Sequence, residues 1–127
     1  MNRVVVHSEK APRAIGPYAQ AIRVGDTVYL SGQIPLDPAS GNLVDGDIDV
    51  QARQVFANLE AVAAAAGGSL RQAVRIGIYL TDMTDFPAVN KAMAEMFHPP
   101  YPARATVAVA ALPLGARVEA DAILVLG

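Results

Sequence analysis

The sequence predicts an α+β fold: one mixed sheet of about six strands with two helices on one of its faces. Three observations carry this. Two segments, from about Asp49 to Ala66 and from Asp85 onward, repeat apolar residues at helical spacing, while the other apolar segments are short and strand-like. The chain is 127 residues and 13.3 kDa, the length of a single domain spanning 1–127. Hydrophobic residues make up 53% and charged ones 17%, which excludes a disordered chain, since those are poor in apolar residues and rich in charge.

The elements follow in order. Val4 to Val6 is a short β-branched run and reads as a first strand. Lys10 to Tyr18 holds Pro12, Gly16 and Pro17, a loop with fixed bends that carries Tyr18. Ala19 to Val24 and Thr27 to Ser31 flank Gly25-Asp26, a pair suited to a tight hairpin, and Val28 and Leu30 alternate with Thr27, Tyr29 and Ser31. Pro35 to Asn42 is an irregular loop. Ala52, Val55, Phe56, Leu59, Val62, Ala63 and Ala66 then trace one helical face, with Gln51, Arg53, Asn58 and Glu60 assigned elsewhere. Asp47 or Asp49 caps the start, and Gly67-Gly68 ends the helix.

Val74, Ile76, Ile78 and Leu80 alternate as a strand, closing a strand–helix–strand unit whose outer strands are expected to run parallel. Asp85 and Pro87 suit the first turn of the second helix, with Phe86, Val89, Met93 and Met96 on one stripe. Two more strands, about Ala105 to Ala110 and Arg117 to Leu126, meet around Pro113-Leu114-Gly115. The runs Ala105 to Leu112 and Ala122 to Leu126 are apolar on both sides, as in strands buried on both sides. Two helices cover only one face of such a sheet, so a second copy of the chain is expected on the other.

Several classes are excluded or disfavoured by composition. A formal charge of −2 and a pI of about 5.5 give no electrostatic footprint for nucleic acid. With no cysteine there is no disulfide framework, thiolate nucleophile or Cys-ligated metal, and two distant histidines, His7 and His98, argue against a metal site. No apolar run reaches the ~18 residues of a membrane span, and the N-terminus is too polar for a signal peptide, so a cytoplasmic protein is expected.

Four features could carry chemistry. Arg104, at the mouth of an apolar strand, either holds a substrate carboxylate or ion-pairs with Glu119 or Asp121. Glu119 and Asp121, two apart on the last strand and so on one face, either orient and deprotonate a water, or one or both face solvent or pair with Arg104. Tyr18 offers a ring and hydroxyl to a pocket or to an interface. Ser31-Gly32-Gln33 either lets backbone approach a ligand or marks a bulge. Neither a Ser-His-Asp arrangement nor a phosphate-cradling loop is present. The residues alone describe a small, self-associating, carboxylate-binding α+β domain.

Read together, the same residues resemble the Rid (reactive intermediate deaminase) family, also called the YjgF family. The matching stretches are Ala14 to Ala21, Val28 to Asp37, Gln51 to Leu59, Tyr79 to Met83, Asp85 to Asn90, Pro102 to Arg104, and Leu112 to Glu119. The resemblance implies a chorismate-mutase-like fold assembled as a homotrimer, with the sheets facing inward and clefts between subunits. It implies hydrolysis of 2-imino acids, the enamine/imine products of pyridoxal-phosphate dehydratases, to 2-oxo acids and ammonia without a cofactor. It assigns the substrate carboxylate to Arg104, the hydrolytic water to Glu119, pocket positions to Tyr18, Ser31 and Gly32, and structural support to Asn90. The sequence departs from the pattern at Thr106, a position often held by cysteine, and in a short loop over Phe97 to Tyr101. A different class of reading is a non-catalytic trimeric scaffold that holds a small carboxylate or a protein client.

Overall fold

A computed structural model describes residues 2–127. Its elements are β1 (Arg3–Val6), β2 (Ala21–Val24), β3 (Thr27–Gln33), α1 (Ile48–Ala65), β4 (Ala73–Leu80), α2 (Phe86–Met96), β5 (Ala103–Ala108) and β6 (Val118–Val125), with short 3-10 turns at Leu70–Gln72, Met83–Asp85 and Pro113–Gly115. The six strands form one mixed sheet in the order β1-β2-β3-β6-β4-β5, antiparallel except for the β4–β5 pair. The expected strand–helix–strand unit is present with one difference. β3 and β4 point the same way, but β6 inserts between them, antiparallel to both.

Strand alternation divides the sheet sharply. On β3, β4 and β6 the residues Val28, Leu30, Ile76, Ile78, Leu80, Val118, Ala120, Ala122 and Leu124 are buried beneath the helices. They pack against Ala52, Val55, Phe56, Leu59, Val62 and Ala63 of α1 and Val89, Ala92 and Met93 of α2 in one core. Phe56 meets Phe97 edge to face, with ring centres 5.5 Å apart. Among the described residues no element covers the opposite face. Tyr29 on β3 and Val125 on β6 stand about half exposed there, as does Val107 on β5, two strands away from β6. β5 is open along most of its length, so the apolar run through Ala105 is buried on neither face within one chain. It also ends at Ala108, short of the expected Ala110.

The helix ends match their signals. Asp47 caps α1 by accepting from the Val50 amide. Gly67, at φ +89, lets the chain turn away after Ala66, and the Gly68 amide donates back to the Ala63 carbonyl. Gly25 takes the left-handed position of the β2–β3 hairpin at φ +59. Asp85, expected in the first turn of α2, does not cap that helix; its carboxylate accepts from Arg117 instead, tying the start of α2 to the residue before β6.

Asn58 corrects the sequence reading most clearly. Assigned to the outer side of α1, it is only 1% exposed. Its amide donates to the Ile34 and Leu36 carbonyls at 3.3 and 3.0 Å and its oxygen accepts from Gln54. It therefore moors the loop after β3 to the helix layer. Truncation would leave the Leu36 carbonyl unpaired and remove one of two bonds to the Ile34 carbonyl, which also accepts from the Leu36 amide, so Asn58→Ala is expected to lower stability by about 1–3 kcal/mol in urea unfolding. A change within a few tenths would contradict the mooring role.

Candidate functional site

The predicted site residues fall into two groups on opposite sides of the sheet. Glu119 lies on the uncovered face of β6, opposite Tyr79 of β4. It lines a cavity of about 440 Å³ together with Tyr18, Gly32, Arg13, Ile15 and Leu114. Two loops build this cavity. The first, between β1 and β2, is anchored by the buried Gln20, whose oxygen accepts from the Ser8 amide at 2.7 Å while its amide donates to the Pro12 carbonyl at 2.8 Å. The Ile15 amide donates to the Tyr18 hydroxyl at 3.4 Å, curling the loop around the ring, which remains 52% exposed. The second loop presents Leu114, which is 70% exposed and holds a left-handed backbone at φ +58. A branched apolar side chain in that conformation beside a cavity is backbone strain of the kind found at ligand-contacting turns.

Ser31 and Gly32 sit where the β3–β6 register slips between Leu30 and Gln33, so the bulge reading of this glycine holds. The close approach found here is to a carboxylate of the protein itself. A Cβ on Gly32 would lie 2.6 Å from Glu119 Oε2, so the carboxylate rests directly on the glycine backbone. The Ser31 hydroxyl donates to the Ala19 carbonyl at 2.6 Å, tying the strand end to the loop before β2. Burial, and then the negative charge of Asp121, hold the Glu119 carboxyl above its ordinary value of 4.5.

Arg104 is elsewhere. Its register partner is Ile76, a buried residue of the helix-covered face, and β4 separates its strand from β6. It therefore pairs with neither Glu119 nor Asp121, and among the described residues no ion pair reaches it. One stripe of α2 holds it instead. Its Nη1 donates to Asn90 Oδ1 at 2.6 Å, Met93 Sδ lies at 3.7 Å, and the guanidinium stands 5.2 Å from the Phe86 ring centre. Asn90 thus supports the arginine. A second cavity, also about 440 Å³, opens here, lined by Arg104, Asn90, Met93, Ala94, Tyr101 and Pro102. The guanidinium keeps donors free for a planar anion such as a carboxylate. Among the described residues no group of three or more His, Asp or Glu side chains comes together as metal ligands do, and no helix is long and apolar enough to cross a membrane.

Sequence reasoning passed over Gln20, Arg13, Ile15, Phe86, Met93 and Tyr101. Phe86 and Met93 had been read only as an apolar stripe, and their spacing to Asn90 at i, i+4 and i+7 was the available sign of a shared face. For Gln20 the sequence offered no comparable signal.

The chain is similar to known proteins along nearly its whole length. The family model described as Endoribonuclease L-PSP matches residues 8–126. Protein DfrA of Myxococcus xanthus is 52% identical over 127 residues, covering 98% of this chain and 97% of its own. The 2-iminobutanoate/2-iminopropanoate deaminase of Mus musculus is 47% identical, covering 98% and 93%. The crystal structure of RidA from an Antarctic Psychrobacter superposes with a TM-score of 0.94 at 46% identity, covering 97% of this chain and 99% of that one. The chain belongs to the Rid, or YjgF, family, the family to which the endoribonuclease L-PSP description is attached.

Proposed function

We propose that the protein hydrolyses 2-imino acids to 2-oxo acids and ammonia in a homotrimer, at sites formed between neighbouring copies. The observation that carries this reading is the separation of Arg104 from Glu119. Each lines an open cavity of similar size, neither is ion-paired, and they lie on opposite sides of one sheet. A carboxylate-bearing substrate held by one arginine and attacked by water at a glutamate needs both in one place. In the proposed assembly the uncovered sheet face, with Tyr29, Val107 and Val125, packs against other copies, and the Glu119 side of one copy meets the β5 and α2 edge that carries Arg104 in its neighbour. The deaminase name of a 47% identical relative supports the same chemistry.

The reaction needs little from the protein. The carbon of a protonated imine is already electrophilic, so no covalent nucleophile is required. Arg104 fixes the substrate carboxylate, and Tyr18 with the loop around it walls the pocket. Glu119 accepts a proton from water as the oxygen bonds to the imine carbon, giving a carbinolamine. The proton returns to nitrogen, and as the C–N bond breaks Glu119 takes the hydroxyl proton, so the carbonyl forms and ammonia leaves. The raised carboxyl of Glu119 suits a group that must both take and return a proton. RNA cleavage, which the family description names, finds no comparable support here: a net charge of −2 offers no cationic track for a polyanion.

The test is an imine-trapping assay, with the imine generated in situ by an amino-acid oxidase and semicarbazide as competitor. Wild-type protein should speed 2-oxo acid release; binding without acceleration would support a non-catalytic scaffold. Arg104→Ala deletes a charge-assisted contact worth about 2–3 kcal/mol, so hydrolysis should fall about 100-fold while the assembly keeps three times the 13.3 kDa chain mass. Unchanged activity in that variant would overturn the assignment.

Glu119 also makes a signed prediction about stability. Its folded carboxyl titrates above the unfolded value of 4.5, so its contribution is complete below that value and is lost as pH rises through the folded one. Glu119→Gln removes the titration. Thermal melts should show the variant gaining stability on the wild type as pH climbs above the ordinary carboxylate range, whereas a difference independent of pH would contradict the strained carboxylate.

A further inference from the structure

The uncovered face of β6 carries a second carboxylate that the proposed reaction leaves unused. Asp121 follows Glu119 by two residues, so it shares its face at about 7 Å along the strand. Its setting mirrors that of Glu119. Asp121 pairs in register with Gly77 of β4, and a Cβ on Gly77 would lie 2.5 Å from Asp121 Oδ1 and 2.9 Å from the Tyr79 hydroxyl. Any larger residue at 77 would push both groups away. Tyr79, the register partner of Glu119, donates its hydroxyl to Asp121 Oδ2 at 3.0 Å. One glycine seats the carboxylate and one tyrosine pins it, so its charge has a defined place on the sheet.

We infer that Asp121, seated over Gly77 and held by Tyr79, is a positioning residue whose fixed negative charge sets how readily Glu119 accepts a proton from the attacking water. This rests on the hydrolytic reading of Glu119 given above. The other charged and titratable groups near Glu119 do not cancel that charge. Arg13 and Tyr18 come from the loop before β2 and line the same cavity without an ion pair to either carboxylate. Arg75 of β4 shares the Asp121 face but directs Nη1 to the Ile76 carbonyl at 3.4 Å, and it makes no ion pair with Asp121. Tyr79 itself is neutral, and its proton is committed to Asp121. Burial of the pair in the proposed assembly would strengthen the repulsion by excluding water between them.

The test is the pH profile of kcat/KM for imine hydrolysis by the full-length assembled protein. Asp121→Asn is close to isosteric and keeps an oxygen that accepts from Tyr79, so it removes the charge and spares the contact. The acid limb of the profile, where Glu119 takes up its proton, should move down by about half a pH unit or more in Asp121→Asn. Asp121→Glu should restore it toward the wild-type position. Titration of Glu119 by carbon-13 carboxyl NMR, wild type against Asp121→Asn, reads the same displacement without turnover and serves if the variant is inactive. An acid limb and a carboxyl titration that both stay in place would overturn the inference. Absence of hydrolysis in the wild type would instead overturn the reading on which it rests, and the two failures are distinct.

Discussion

Alternation along a β-strand is the constraint on which this molecule depends. Successive side chains point to opposite faces, so a strand residue has no freedom to choose its side once the register is set. Here the register sends Arg104 toward the helices and Glu119 toward the uncovered face, with β4 between their strands. A small substrate cannot bridge that gap through a packed sheet. Either the two residues serve different ligands or a second copy of the chain supplies the missing half. The apolar character of the uncovered face favours the second alternative on independent grounds, because Tyr29, Val107 and Val125 gain by being buried there.

The polar groups on that face are placed with unusual economy of contact. Glu119 rests on Gly32 and Asp121 on Gly77, so each carboxylate lies over backbone where a side chain would otherwise stand. For Glu119 this seating leaves the carboxylate half-buried, which is unfavourable for folding and raises its affinity for a proton. The supporting contacts lie elsewhere. Gln20 and Asn58 each tie a cavity-lining loop to buried backbone carbonyls, and the α2 stripe of Phe86, Asn90 and Met93 holds the arginine.

Much of this was legible in the sequence, for reasons that can be named. Both helices announced themselves by periodicity, and the α1 face from Ala52 to Ala66 is buried as its spacing requires. Alternation identified the helix-facing Val28 and Leu30 of β3 and Ile76, Ile78 and Leu80 of β4, but not Val74, which stands exposed where the β4–β6 register shifts. Register and neighbour order were not legible, because nothing local in Val118 to Val125 says that this strand inserts between β3 and β4. That omission hid the geometry of the site: without the order, Arg104 and Glu119 looked like potential partners on adjacent strands. Asn58 was misplaced for a related reason. An asparagine on a helix looks solvent-facing until a distant loop supplies two carbonyls for it. The Rid resemblance supplied the chemistry that residue types alone left open between carboxylate binding and an ion pair.

The central claim is that one site is built from Arg104 of one copy and Glu119 of another. Active-site complementation tests it directly. Arg104→Ala and Glu119→Gln chains, each inactive in its own assembly, are co-expressed with different tags and the mixed assemblies purified through both. A mixed trimer holds one seam where an intact Arg104 faces an intact Glu119, so about a third of the wild-type imine hydrolysis per trimer should return. Mixed assemblies as inactive as their parents would contradict a shared site.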